Sequence, residues 1–285
     1  MEKILKKSKL CWGPMSKNIV DSLIKYANNT DTFITIIPSR RQIEWDGGYV
    51  NNWKTEDFCK YVKENTDKIA LQRDHAGPGQ GYNDDDGYKS LEYDCKYFDA
   101  IHLDPWKKYP KLEDGIKWTI DMINFCYDKN NKLYFEVGTE EAIRPFTSEE
   151  INMMLQILKS ELSEEVFNRI IFCVIQSGTA LQDGLNIGKY NNIRLKEMIN
   201  VVKKYELLSK EHNGDYMKKE IMEDRFNNNL DSLNIAPEIG VFETKKILEL
   251  LNEEDFNKMY KICLDSKKWV KWVSKDFKPE ENKKK

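Results

Sequence analysis

Apolar positions along the chain fall into eight short runs, at 9–12, 32–38, 69–73, 100–103, 133–137, 170–175, 207–210 and 232–235. The segments between them carry apolar residues at helical spacing. Ile19, Val20, Leu23 and Ala27 share one helical face; so do Ile151, Met154, Leu155, Leu158 and Leu162, and so do Leu195, Met198, Ile199, Val202 and Tyr205. Thr147 followed three residues later by Glu150, with Pro145 just ahead, is the start signal of a capping box. Short buried strands alternating with amphipathic helices predict right-handed βαβ units and a parallel sheet. Eight such units in 285 residues predict a closed (β/α)₈ barrel. An open doubly wound sheet is the alternative, but no glycine-rich fingerprint follows the first run.

No stretch rich in Pro, Gly or Ser divides the chain, so residues 1–285 are expected to form one domain. The barrel is expected over about 9–250, with extra helices and a charged tail over 251–285. The segment 248–276 reads as the closing helix plus one or two more. The net charge of −3 gives no basic excess for nucleic acid. No apolar run is long enough to cross a bilayer, and the N-terminus lacks the apolar segment of a signal peptide. Six cysteines with no CxxC spacing fit a reducing cytoplasm. Cys11 closes the first run and reads as a core thiol.

The chemistry concentrates where the runs end. All three histidines lie there, each close to a carboxylate: RDHAGP at His75, IHLDPW at His102 and KEHNGDY at His212. In a barrel of parallel strands these ends form one mouth, where active sites lie. Imidazoles and carboxylates from several strand ends suit a divalent cation, Zn²⁺ first, with Mn²⁺ or Mg²⁺ as alternatives. His75, His212 and Glu136 are candidate ligands, with Gln176 as a neutral oxygen donor, and Glu136 is also a candidate catalytic carboxylate. Asp74 is a candidate acid/base, or else only orients His75. His102 and Asp104 share a strand face and are candidates for acid/base or supporting roles, with His102 also open as a ligand.

Polar residues at the same ends are the candidate substrate contacts: Arg40, Arg41, Gln42, Glu140, Arg144, Ser177, Thr179, Asn213, Asp215 and Asn234. The arginines could meet a phosphate, as could backbone N–H groups around Ser177–Gly178–Thr179 and Asn213–Gly214–Asp215. The Gly- and Asp-rich segment 75–87 reads as a mobile loop over the site, with Asn83 or Asp84 capping the next helix.

A string of motifs adds a resemblance. CWGP, SRRQIEWDGGYVNNW, LQRDHAGPGQ, FDAIHLDPW, EVGTEEAI, VIQSGTAL, LLSKEHNGDY and LNIAPEIG run in order from Cys11 to Gly240. They resemble the non-catalytic (accessory) subunit family of class II tagatose-bisphosphate aldolase, itself related to class II aldolases and to ketose-phosphate C4 epimerases. The resemblance implies a zinc-dependent (β/α)₈ barrel in which Asp74 matches the catalytic aspartate, and His75 and His212 match metal histidines. Glu136 falls where an acidic residue follows strand five. Gln176 stands where that family of aldolases has a metal histidine, and KEHNGDY lacks the glycine-rich phosphate loop. NIAPE also lacks the acidic and hydroxyl pair expected after the strand-eight asparagine. The implied function is a metal-dependent ketose-phosphate C4 epimerase or aldolase-type lyase working through an enediolate. Its setting would be carbohydrate or surface-polysaccharide synthesis, and its substrate a small phosphorylated sugar. The alternative is an accessory subunit that stabilises an aldolase catalytic subunit. Either that pairing or a homo-oligomer fits.

Overall fold

The computed structural model of the chain describes residues 1–141, 143–182, 184–270 and 273–283. Eight parallel strands close into a barrel in the order β1-β10-β9-β6-β5-β4-β3-β2. They are β1 (Leu10–Trp12), β2 (Ile34–Ile36), β3 (Ile69–Ala76), β4 (Ala100–Leu103), β5 (Tyr134–Gly138), β6 (Ile170–Val174), β9 (Leu208–Glu211) and β10 (Ser232–Ile235). Each lies within, or overlaps by all but a few residues, a run expected from the sequence. A two-stranded antiparallel hairpin, β7 (Leu181–Gln182) with β8 (Leu185–Asn186), is inserted after β6 and was not expected.

The helices between strands are α2 (Lys17–Thr30), α3 (Thr55–Asn65), α4 (Tyr88–Tyr97), α5 (Leu112–Lys129), α6 (Ser148–Glu161), α7 (Glu164–Phe167), α8 (Asn192–Lys203) and α9 (Lys219–Asn227). Apolar stripes of α2, α6 and α8 lie on their buried faces, as their spacing requires. The Thr147–Glu150 capping box forms in both directions at the start of α6. The expected cap of α4 does not form: Gly87 precedes Tyr88, and Asp86 accepts from the Tyr88 amide instead.

α1 (Glu2–Lys7), also unexpected, plugs the N-terminal end of the barrel. Its Ile4 and Leu5 pack with Ala70, Ala100, Ile171 and Phe172. With that end sealed by apolar side chains, the polar residues of the strand interiors gather toward the other end. The C-terminal helices are α10 (Pro237–Leu250) and α11 (Glu253–Ser266), and neither has a buried residue. The closing helix therefore starts about ten residues earlier than the sequence suggested, directly after Ala236, with Pro237 in its first turn. Among the described residues no helix is long and apolar enough to cross a membrane.

Candidate active site at the C-terminal mouth

β3 brings two adjacent residues, Asp74 and His75, to the same place. In a regular strand they would point to opposite faces. Here the β3–β4 register shifts between Arg73 and Ala76, and His75 takes a left-handed φ of 47°. Such a conformation is costly for a residue with a Cβ and is found where surrounding structure enforces it. Arg73, facing away from the mouth, supplies that enforcement. It is fully buried, paired in two bonds with Asp94 (2.9 and 2.8 Å), and it donates to the carbonyls of Pro38 and Ile43.

His75, His102 and His212 meet with ring centroids 4.9–5.1 Å apart. Each imidazole has one nitrogen engaged by the protein. His75 Nδ1 bonds Asp104 Oδ2 at 2.7 Å. His212 Nε2 bonds Glu136 Oε1 at 2.8 Å. His102 Nδ1 accepts the His75 backbone N–H at 3.3 Å. The opposite nitrogens of His102 and His212 are buried with no hydrogen-bond partner. His75 Nε2 faces two carboxylates at longer range, Asp74 at 3.7 Å and Glu140 at 3.8 Å.

One potential ligand atom from each of Asp74, His75, His102 and His212 lies within 4.8 Å of the others, and a second group joins His75, Asp104 and Glu140. Three imidazoles braced by carboxylate or backbone, beside a carboxylate, form a donor set that suits a divalent cation. A buried imidazole nitrogen without a partner is otherwise unfavourable, so the arrangement fits a bound divalent cation.

Beneath the histidines lies a second polar layer inside the barrel, not anticipated from the sequence. Lys210 Nζ donates to Glu136 Oε2 at 2.7 Å, and Gln72 Nε2 donates to the same oxygen at 2.6 Å. Glu136 and Lys210 are both fully buried. Strand alternation held the signal: Gln72 is two residues from Asp74, and Lys210 two from His212. Burial would raise the Glu136 carboxyl, but the Lys210 charge and the His212 hydrogen bond hold it well below its ordinary value. Burial would likewise raise Asp74. The charge of His75, the neighbouring His102 imidazole (Nδ1 3.7 Å from Asp74 Oδ1) and the charge of His212 outweigh that and hold it well below its ordinary value. His75 shows the converse: burial disfavours its cation, and Asp74 and Asp104 push its pKa well up. A divalent cation entering the cluster would displace that proton.

The cluster thus gathers Asp74, His75, His102, Asp104, Glu136, Glu140 and His212, with Asn234 reaching Asp74 Oδ1 at 3.4 Å. Other sequence candidates are engaged elsewhere. Gln176 accepts from the Phe146 amide and from Arg194, and donates to the Arg144 carbonyl; its amide serves the loop after β5, not the imidazoles. Arg40 is buried against Glu44, Asp85 and the Gly77 carbonyl, clamping the 75–87 loop. That loop closes on itself, since a Cβ on Gly87 (φ 79°) would lie 2.7 Å from the Gly77 carbonyl carbon. Arg41 donates to the Gly81 carbonyl of the same loop. Gln42 accepts from the Ser39 amide and donates to Met15 sulfur.

Arg144 pairs with Glu150 at 2.8 Å and stacks on Phe146. The Ser177 and Thr179 amides donate to Glu211 and Glu141. Asn213 and Asp215 have their carbonyls bonded by Asn186 of the hairpin, and the Asp215 carboxylate caps α10. Gln80, missed from sequence, reaches Asp104 Oδ2 at 2.7 Å from the loop over the site.

No protein-family model and no curated protein matches this chain. Solved structures do share its architecture. A probable tagatose 6 phosphate kinase from Sinorhizobium meliloti 1021 is similar with a TM-score of 0.76 at 16% identity, over 97% of this chain and 80% of that one. The YdjI aldolase from Escherichia coli K12 is similar with a TM-score of 0.64 at 10% identity, over 88% and 84%. The fructose-bisphosphate aldolase of Campylobacter jejuni gives 0.61 at 12% identity, over 87% and 77%. At these identities the likeness is one of fold, and it is consistent with the family resemblance carried by the motifs.

Proposed function

We propose that this chain is a metal-dependent enzyme acting on a ketose phosphate, either as an aldolase-type lyase or as a C4 epimerase that opens and recloses the same carbon–carbon bond. The observation that carries this reading is the trio of imidazoles, each braced through one nitrogen and gathered beside Asp74. Aldolase structures among those of the same fold support the reaction class. His75, His102 and His212, with Asp74 or Glu140 as the carboxylate, would hold a divalent cation, Zn²⁺ by donor type. When bound, it supplies Lewis-acid polarisation of the substrate carbonyl.

The chain's own residues do the rest. Asp74, ionised and steadied by Asn234, takes the proton from the substrate hydroxyl as the carbon–carbon bond opens to an enediolate and an aldehyde. It returns the proton on reclosure. Asp104 and Glu136 orient His75 and His212, and Lys210 holds Glu136 in place from below. The 75–87 loop, tied down by Arg40, covers the mouth and restricts water.

The test is elemental analysis of the purified chain followed by a screen of ketose phosphates with product NMR. A stoichiometric divalent metal and turnover are expected. Absence of both would leave the second reading, an accessory subunit for an aldolase. One observation favours that reading: no residue of α10 or α11 is fully buried, and they expose Phe242 (60%), Leu250 (86%) and Ile262 (70%).

A further inference from the structure

The half of the mouth formed by β6, β9 and β10 is where barrels of this type commonly seat a phosphate, on backbone N–H groups of the loops after strands seven and eight and the helix that follows. In this chain most of those donors that face the mouth have protein partners. One oxygen of Asp215 accepts the amides of both Ala236 (2.9 Å) and Glu238 (2.8 Å) at the start of α10. The Glu238 carboxylate returns to accept the Tyr216 amide at 2.7 Å. The Gly214 amide bonds the Asn234 carbonyl. After β6 the pattern repeats, with the Ser177 amide on Glu211 (2.5 Å) and the Thr179 amide on Glu141 (3.2 Å).

The carboxylates are placed by a shaped loop. Asn213 and Tyr216 both have positive φ, 57° and 55°. Between them a Cβ on Gly214 would come within 2.4 Å of Leu233, so the loop lies flat on β10. Asn186 pins it from the hairpin through the carbonyls of residues 213 and 215. Asp215 is 1% exposed. Nearby guanidinium groups are largely engaged as well: Arg225 pairs with Glu211 and donates to the Gly178 carbonyl, with only its buried Nη1 lacking a partner among the described residues, and Arg194 donates to the Phe146 carbonyl and Gln176.

We propose that Asp215, backed by Glu238, is a specificity determinant that holds the place of a substrate phosphate, so that the end of the substrate lying over β9 and β10 carries none. An incoming phosphate would have to displace a buried carboxylate from its two N–H donors and meet the charge of Glu238. A neutral hydroxymethyl end meets neither obstacle. Resting on the reaction proposed above, this narrows the substrate from a bisphosphate to a ketose monophosphate whose phosphate lies at the far end.

The experiment uses the full chain in chelator, at matched ionic strength, with inorganic phosphate as the probe, so neither metal nor turnover enters the readout. In the unaltered chain, phosphate should leave the amide signals of Ala236 and Glu238 in place and should not raise Tm above the chloride control. D215G frees both amides. It should melt lower, and phosphate should raise its Tm saturably, with at least tenfold tighter binding than the unaltered chain shows. Saturable shifts of the Ala236 and Glu238 amides in the unaltered chain would overturn the proposal. So would a folded D215G that gains no phosphate binding. Should D215G not fold, the amide titration of the unaltered chain decides alone. A chain without metal or turnover would sink the proposed reaction and leave these readouts unmoved.

Discussion

The two halves of the barrel mouth treat their polar groups in opposite ways. On the β3, β4 and β5 side, joined by His212 from the end of β9, three imidazoles each keep one nitrogen engaged, and the second nitrogens of His102 and His212 are buried without a hydrogen-bond partner among the described residues. On the β6, β9 and β10 side, backbone donors that could receive a ligand are closed by the chain's own carboxylates. Burying a polar group without a partner costs about 1–3 kcal/mol, so the fold tolerates it only where something else compensates. The first half leaves imidazole nitrogens open, and the second completes the structure; under the proposals above, one receives the ligand and the other turns a phosphate away.

The largest effect is expected from Asp74→Asn, which keeps the shape of the open half but removes its proton acceptor. Turnover of a ketose phosphate should fall by about 10²–10⁴-fold, the usual worth of a positioned acid/base group, with little change in binding. Full activity, followed by product NMR, would remove Asp74 from the mechanism.

Lys210→Met breaks the layer under the same half. It leaves the buried Glu136 charge without its cation, and a loss of about 3–5 kcal/mol is expected in urea unfolding. The double variant Lys210→Met with Glu136→Gln should recover part of it. If the single variant unfolds like the unaltered chain, the layer is not what supports the histidines.

The closed half has a pH signature. Burial pushes the Asp215 carboxyl up to about 6 from an ordinary 3.8, against the two amides that donate to it, and the Glu238 charge adds to the rise. A raised carboxyl binds its proton more tightly in the folded state, so its contribution to stability is full below the unfolded pKa and is lost as pH rises through the folded one. Between about pH 4 and 6 the unaltered chain should lose up to about 3 kcal/mol from this group, roughly two units at about 1.4 kcal/mol each. Asp215→Asn should lack that slope, and parallel urea unfolding curves of the two proteins over this pH range would contradict it.

The smallest effect concerns a supporting residue of the open half. Asp104→Asn weakens the brace on His75 and should lower divalent-metal affinity by about 10–100-fold, measured by competition with a chromogenic chelator. An unchanged affinity would mean that His75 is oriented by other contacts.

Much of this was legible before any coordinates. The eight strands lie where apolar runs predicted them, because strands covered on both faces by core must be nearly continuous in apolar residues. The histidine motifs came to one mouth because a closed parallel barrel puts every strand's C-terminal end on one side. The N-terminal plug and the hairpin were not legible. Six residues of helix and one pair of two-residue strands are too short to leave a periodic signal.

The residue types and their spacing along the chain were enough to settle the barrel and the end at which its imidazoles and neighbouring carboxylates gather. Only the tertiary structure decided which of them meet. Asp74 and His75 come to one cluster through a register shift and a left-handed residue beside the buried, paired Arg73. Gln176, Arg40 and Asp215 stand at the mouth as expected, yet each bonds to protein groups supplied by other loops. A strand's period specifies which way a side chain leaves the backbone. Its final partner depends on donors and acceptors brought in from distant parts of the chain, and those become neighbours only when the barrel closes.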